Sequence, residues 1–155
     1  MKMIDLLDNT EIKYLKDVPE HLDTLAQWTY DAWGKYDPTL TLENVTESLK
    51  AKLNTDKLPL TMVAMNHDEP VGMVSLKPKI KLRGYTDRPI WLGSFWVPVK
   101  YRNHGVGSQL LDFAYEKARA LGYKKISAFT SEPGAAVWYI NNNWVQFSTD
   151  TYQDH

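Results

Sequence analysis

The sequence predicts an α/β domain built on a mixed sheet, with parallel strands at the centre of the sheet. Three observations support this fold class. The 155 residues suit one domain, and the 43% hydrophobic content is enough to close a single core. The apolar residues follow helical spacing in the two segments before Asn54, form extended runs over residues 58–97, and then alternate between helical and extended patterns. The resulting element order, βααββ, then βαβα, then β, favours a mixed sheet. We therefore expect one domain over residues 1–155.

The N-terminal third is predicted to hold one strand and two helices. Residues 12–15 read as a short strand. The stretch "VPEHLDTLAQWTYDAWG" places apolar residues at helical spacing and ends at Gly34. A second helix is expected over residues 42–53, with Thr41 as its N-cap.

The middle of the chain has the pattern of extended structure. "LPLTMVAM" and "PVGMVSLKP" flank the turn-forming cluster "NHDE", which predicts an antiparallel hairpin. "KIKLRGYTDRP" reads as a polar connection. "IWLGSFWV" is almost continuously apolar, so a strand buried on both faces is expected.

The C-terminal part alternates between helix and strand. "VPVKYRNHGVGSQLLDFAYEKARALG" leaves a strand, turns through Gly105 and Gly107 and enters an amphipathic helix that ends at Gly122. "KKISAFT" predicts a buried strand, "GAAVWYINNN" a short helix and "WVQFSTDTY" a last strand.

Composition disfavours several functional classes. The 18 basic and 19 acidic residues nearly cancel, whereas proteins that bind nucleic acid usually carry a basic excess. No apolar run is long enough to cross a membrane. The chain has no cysteine, and its four histidines lack metal-ligand spacing, so we expect no metal. A cytoplasmic location is the default expectation for such a chain.

The glycine turn is the main candidate for a binding site. If a helix begins near Gly107, several backbone N–H groups between Arg102 and Ser108 lack partners beside the positive end of the helix dipole. Such groups bind phosphate oxygens. The turn is neither a dinucleotide fingerprint, because Leu110 stands where the third glycine belongs, nor a P-loop. By itself, the pattern fits an ordinary tight turn equally well.

The residues around the turn resemble a known family. "WVPVKYRNHGVGSQLL" resembles the acetyl-CoA-binding segment of the GNAT superfamily of N-acetyltransferases, whose signature is Arg/Gln-x-x-Gly-x-Gly/Ala. "ARALGYKKISAFT" is also similar to the family's helix end and following strand. "AAVWYINNNW" resembles the family's "A-x-x-x-Y-x-x-x-G-[FW]", with Ala135, Tyr139 and Trp144 in register. The resemblance is strongest over residues 90–144.

The resemblance implies a GNAT-like fold and acetyl-CoA as co-substrate. Two central parallel strands, at residues 90–97 and 125–130, would splay apart to admit the cofactor. The pantetheine arm would pair with the main chain of Phe95 and Val97, and the Val97 N–H would stabilise the oxyanion. The diphosphate would lie on the turn, so the implied cofactor-binding residues are Phe95, Val97, Arg102, Asn103, His104, Gly105, Val106, Gly107 and Ser108.

The implied activity is direct transfer of the acetyl group to a primary amine of a small-molecule or protein acceptor. Tyr139 matches the family's general acid, which protonates the departing thiolate; without the motif, Tyr139 would read as a half-buried aromatic residue. No general base is assigned. Ser94 could order a water molecule, while His67 and Glu132 fit a hairpin turn and a solvated loop better.

In this family, acceptor selection usually falls to the first two helices and their loop. That region carries aromatic residues with nearby carboxylates, which would suit a cationic amine. A core residue with surface neighbours explains the same pattern at least as well. The residues concerned are Trp28, Tyr30, Asp31, Trp33, Tyr36 and Asp37.

The chain also departs from the family pattern. Glu132 replaces a frequent asparagine that contacts the cofactor, and Asn143 stands where glycine is usual. The family usually ends in a two-strand hairpin, whereas this chain stops soon after the first of those strands. A missing strand would leave an open sheet edge or be replaced by a second subunit in a homodimer. These departures leave a second hypothesis open, a non-catalytic acyl-CoA-binding or sensor protein on the same scaffold.

Overall fold

In the computed structural model, residues 9–78, 88–130, 133–142 and 144 are described. Five strands and four α-helices occur in this part of the chain. They are β1 Thr10–Tyr14, α1 Leu22–Trp33, α2 Leu42–Lys50, β2 Leu60–Asn66, β3 Glu69–Lys77, β4 Trp91–Trp96, α3 Val106–Ala120, β5 Ser127–Ala128 and α4 Pro133–Asn141. Most of the predicted connection, residues 79–89, and all but the first residue of the predicted last strand, residues 144–152, lie outside the described residues.

The strands form one sheet in the order β1-β2-β3-β4-β5. The pairs β1–β2, β2–β3 and β3–β4 are antiparallel, and the pair β4–β5 is parallel. The predicted mixed sheet, with a parallel pair beside β4, is therefore confirmed. The predicted hairpin is also present, since β2 and β3 are joined at a turn in which His67 has a φ of 56°.

The two faces of the sheet bury separate cores. Residues of β2 and β3 alternate between the two faces, which explains why all seven residues of β2 are buried. The apolar stripe of α3, which includes Leu110 and Ala114, covers one face. Helices α1 and α2 cover the other face through residues such as Leu25 and Leu49. We call these the α3 face and the α1/α2 face.

Local signals explain most element boundaries. Thr41 caps α2 as predicted: its side chain accepts a hydrogen bond from the Asn44 N–H, and the Asn44 side chain accepts one from the Thr41 N–H. Helix α2 ends at Lys50, earlier than predicted, and β1 begins at Thr10. None of the helices in the described part is long and apolar enough to cross a membrane.

Gly72 of β3 allows α3 to lie close to the sheet. A Cβ atom at this position would lie 2.9 Å from both Leu110 Cδ1 and Val106 Cγ1, and 3.3 Å from Val97 Cγ2. All three neighbours belong to the α3 side of the core, and two of them are fully buried. Any side chain larger than hydrogen would therefore push α3 away from β3.

We expect Gly72→Ala to destabilise the protein by about 1–3 kcal/mol, the usual cost of overpacking a closed core. Chemical denaturation checks this value. Gly134→Ala is the matched control, because no atom lies within 4 Å of a Cβ placed there. Equal stability of the two variants would contradict the close packing of α3 on β3.

Candidate active site

A β-bulge interrupts β4 near its C-terminal end. Ser75 pairs with Gly93 and Met73 pairs with Trp96, so Ser94 and Phe95 together oppose the single residue Val74. Ser94 is one of the two bulge residues, and its backbone has a left-handed conformation with a φ of 47°. A bulge of this kind bends the strand and changes which face each following side chain meets. Here Phe95 packs on the α3 face and Trp96 packs on the α1/α2 face.

Strands β4 and β5 part soon after they meet. Their pairs are Trp91 with Ser127 and Leu92 with Ala128, while β4 continues to Trp96. The implied splaying of the two central strands is therefore present. Strand β5 covers only Ser127 and Ala128 and is therefore shorter than the sequence predicted. The prediction that β4 is buried on both faces holds for Trp91 and Leu92, whereas the rest of the strand is half-buried.

The end of β4 has free hydrogen-bonding capacity. Pairing with β3 ends at Trp96, and among the described residues no acceptor contacts the Val97 N–H. The Val97 carbonyl accepts a hydrogen bond from Arg102 Nε at 2.7 Å. The guanidinium of Arg102 also lies over the Trp96 ring, 4.8 Å from its centroid. Arg102 therefore ties the glycine turn to the end of β4.

The turn presents a run of unpaired amides at the start of α3. The Arg102 N–H donates to the Val99 carbonyl at 3.2 Å, so the run begins at Asn103, one residue later than the sequence analysis proposed. Within the described ranges, no hydrogen-bond acceptor contacts the N–H groups from Asn103 to Ser108. The next amide, that of Gln109, starts the helical ladder by donating to the Gly105 carbonyl. These N–H groups lie at the positive end of the helix dipole.

Two backbone conformations shape this turn. Asn103 has a φ of 67° and Gly105, the N-cap residue of α3, has a φ of 81°. Gly105 has open space around it, so the conformation rather than crowding explains glycine at this position. The predicted site residues from Arg102 to Ser108 thus lie together; the side chain of His104 is half-buried, and that of Val106 enters the core.

Helix α4 packs against the first turn of α3 and the bulged part of β4. A Cβ atom on Gly107 would lie 3.2 Å from Trp138 Cζ2 and 3.3 Å from Phe95 Cζ, so glycine permits this close approach. Ser108 Oγ donates a hydrogen bond of 3.2 Å to Asn142 Oδ1 at the end of α4. The unpaired amides and α4 therefore occupy one corner of the molecule.

Tyr139 lies within a cluster of aromatic rings at this corner. Its ring centroid is 6.1 Å from that of Phe95, 5.5 Å from that of Trp138 and 5.1 Å from that of Trp144. Burial among these rings raises the pKa of the Tyr139 hydroxyl well above its usual value. The side chain is therefore protonated at neutral pH and available as a proton donor beside β4.

The end of α4 beyond Tyr139 is closed by the main chain. The Trp144 N–H donates a hydrogen bond of 3.0 Å to the Tyr139 carbonyl. Asn143, the residue that replaces the family's glycine, lies outside the described residues, as does Glu132.

The residues considered as a general base or for acceptor binding do not all lie near the bulge in β4. His67 is exposed in the β2–β3 turn, away from the bulge. Trp33 reaches the site, because its ring meets the Trp96 ring edge-on with centroids 5.7 Å apart. Trp28 packs into the α1/α2 face, and Tyr30 and Tyr36 are exposed.

Both carboxylates proposed for the acceptor region have local partners. Asp31 Oδ1 accepts a hydrogen bond from Gln27 Nε2 at 2.8 Å. Asp37 Oδ1 accepts from the hydroxyl and the N–H of Thr39, and these bonds lower the pKa of the Asp37 carboxyl. Asp37 therefore stabilises its own turn.

Sequence reasoning missed the contribution of Trp96 and Trp138 to the site. Trp96 supports Arg102, and Trp138 supports Gly107. Alternation along an unbroken strand would have put Trp96 on the same face as Leu92, so only knowledge of the bulge could have placed it correctly. Trp138 could have been found from the sequence, because it directly precedes Tyr139.

Comparison with known families identifies the class of protein. The model of the acetyltransferase (GNAT) family matches residues 22–138 of the chain. Because this match covers more than half of the 155 residues, the chain belongs to the GNAT family of acetyltransferases. The resemblance found in the sequence is therefore confirmed. A search of curated proteins gives no significant match.

Solved structures share the fold at low sequence identity. A complex of AAC(6′)-Iy with the bisubstrate analog CoA-S-monomethyl-acetylneamine has a TM-score of 0.74 at 14% identity, over 96% of this chain and 99% of that one. A "possible acetyltransferase from Clostridium difficile 630" has a TM-score of 0.70 at 18% identity, over 94% and 97%. A GCN5-related N-acetyltransferase from Ralstonia eutropha JMP134 has a TM-score of 0.67 at 17% identity, over 92% and 97%.

We expect Gly105→Ala to destabilise the protein by about 1–2 kcal/mol, because a Cβ atom is strained in the left-handed conformation. Asparagine tolerates this conformation better, so Gly105→Asn is expected to lose less stability than Gly105→Ala. Chemical denaturation of both variants measures the difference. Equal losses would show that the conformation of residue 105 does not determine the stability of the turn.

Proposed function

We propose that this protein transfers the acetyl group of acetyl-CoA to a primary amine by direct attack of the amine on the thioester. The observation that carries the proposal is the run of unpaired amides from Asn103 to Ser108, beside the opening between β4 and β5. Membership of the GNAT family supports the same reaction. The proposal covers acceptor amines of small molecules and of peptides.

The diphosphate of acetyl-CoA would be held by the turn. One helix dipole contributes only about 0.3–1 kcal/mol, so several converging N–H groups are needed to bind a diphosphate. The residues from Asn103 to Ser108 provide such a set. Arg102 uses Nε to hold Val97, and its terminal nitrogens remain as further donors for a phosphate oxygen.

The exposed end of β4 would orient the thioester. In the described part of the chain, the recorded pairing of β4 with β5 extends only to Leu92, so an extended pantetheine arm would pair with the main chain near Phe95 and Val97. The unpaired Val97 N–H is suited to stabilise negative charge that develops on the thioester oxygen. Pro98 follows directly and cannot continue the ladder, which helps to keep this N–H free.

Tyr139 is proposed as the general acid. It contacts Phe95, and its hydroxyl is protonated at neutral pH, although burial makes it a weaker acid than a free tyrosine. A thiol has a pKa of about 8.5, so it is a fair leaving group and a weak acid suffices. An acceptor amine with a pKa of about 10 must lose a proton before it attacks, and we propose that water accepts this proton.

We expect Tyr139→Phe to lower kcat by about 100-fold or more, the usual contribution of a general acid, while the affinity for CoA stays the same. The variant keeps the ring and its packing and removes only the hydroxyl group. CoA release on a panel of primary amines measures kcat, and calorimetry measures CoA affinity. Tyr115→Phe is the control, because Tyr115 is exposed on α3.

Two results would contradict the proposal. Equal kcat values for the wild type and Tyr139→Phe would exclude Tyr139 as the acid. Tight binding of CoA without acetylation of any amine in the panel would favour the acyl-CoA-binding or sensor hypothesis.

A further inference from the structure

Two lysines, the buried Lys52 and the half-buried Lys77, lie on the α1/α2 side of the sheet, and Lys77 is close to the bulge in β4. Lys52 follows α2 and is only 8% exposed. Lys77 is the last residue of β3, and its pairing with Trp91 places it beside β4. Residues Ser75 and Lys77 lie on the same face as Met73, which belongs to the core under α1 and α2.

Each of the two lysines lies in surroundings that disfavour its charged form. Burial lowers the pKa of Lys52 to about 7, and the charge of Lys77 contributes to this shift. Burial also lowers the pKa of Lys77. In the described part of the chain, neither lysine has a carboxylate within ion-pair distance. The fold therefore holds two like charges together without a counter-charge from the described residues.

Neighbouring residues make room for these charges and add another hydrogen-bond donor. A Cβ atom on Gly93 would lie 2.9 Å from Lys77 Nζ, so glycine lets the ammonium group rest on the backbone of β4. Trp91, the cross-strand partner of Lys77, is 1% exposed, and its Nε1 N–H is buried without an acceptor among the described residues. Buried donors without acceptors are rare and costly, and here one occurs beside two lysines.

We propose that Lys52, Lys77 and Trp91 form a binding site for an oxyanion, namely a carboxylate or phosphate group carried by the acceptor molecule. The acceptor assignment rests on the proposed acetyltransferase function. An oxyanion supplies the missing counter-charge and the missing acceptor together. The site lies next to Gly93 and Ser94, on the sheet face opposite α3. An acceptor anchored there approaches β4 from the side away from the proposed diphosphate site.

Binding of the oxyanion can be tested without acetyl-CoA. Thermal unfolding is measured in sodium phosphate, sodium acetate and sodium chloride of equal ionic strength, for wild type, Lys77→Met, Lys52→Met and Lys57→Met. Methionine keeps much of the lysine volume and removes the charge. Lys57 is exposed, so Lys57→Met is the control.

We expect phosphate or acetate to raise the Tm of the wild type and Lys57→Met relative to chloride. Lys77→Met and Lys52→Met should lose most of this rise. In chloride, both variants should be at least as stable as the wild type, because each removes an unpaired buried charge. An equal oxyanion response in all four proteins would overturn the proposal and leave binding at other sites, such as the α3 N-terminus, as its source.

The response should also depend on pH. Lys52 has a pKa of about 7 in the folded protein and the ordinary value of 10.5 when unfolded. The unfolded chain therefore binds more protons between these values, and the cost of burying Lys52 is full below pH 7 and falls as the pH rises. The gain in Tm from Lys52→Met in chloride should be largest near pH 6 and smaller at pH 9. The oxyanion response of the wild type should weaken over the same range, and a response constant over that range would contradict the role of Lys52.

A matched pair of amines tests whether the oxyanion belongs to the acceptor. Acetylation is compared for an amino acid and its amide, which differ in the carboxylate. Lys77→Met should raise KM for the amino acid about tenfold or more, the loss expected for a charged hydrogen bond, with little change in kcat or in KM for the amide. Unchanged KM values with a lost phosphate response would overturn the acceptor assignment and indicate a free oxyanion. A lost phosphate response without any acetylation would refute the proposed function alone.

Discussion

The register of β4 between its two neighbours is the constraint on which the candidate site depends. On one side, the bulge at Ser94 lets two residues oppose Val74 and sends Phe95 and Trp96 to opposite faces. On the other side, pairing with β5 ends at Leu92. The last residues of β4 therefore have backbone N–H and C=O groups that a regular sheet would have hydrogen-bonded. The glycine turn starts from this strand end, so its amides point to the same region.

Close packing around small residues holds the surrounding elements on this strand end. Gly72 brings α3 onto β3, and Gly107 lets Trp138 and Phe95 approach the first turn of α3. Helix α4 thereby places Tyr139 among apolar rings, where its hydroxyl keeps its proton. The proposed acid and the turn proposed to bind the diphosphate come from segments far apart in sequence, but Phe95 and Trp138 contact both.

Features with a local cause could be predicted from the sequence, and features caused by tertiary pairing could not. The Thr41 cap, the turn at His67 and the positive φ of Gly105 follow from a few adjacent residues. The sequence predicted a longer β5, because the apolar residues of this strand do not show where β4 diverges from it. The Lys52–Lys77 pair gave no sequence signal, since each lysine alone looks like an ordinary surface charge at an element end.

The position of Arg102 links the turn to the first helix. Its side chain holds the Val97 carbonyl and stacks on Trp96, and Trp96 meets Trp33 of α1 edge-on. If the turn holds the diphosphate as proposed, a molecule that displaces the Trp33 ring would also disturb this stack and, through it, the diphosphate site. Any such effect between the two substrates would be reciprocal, so that each would change the affinity of the other by the same factor.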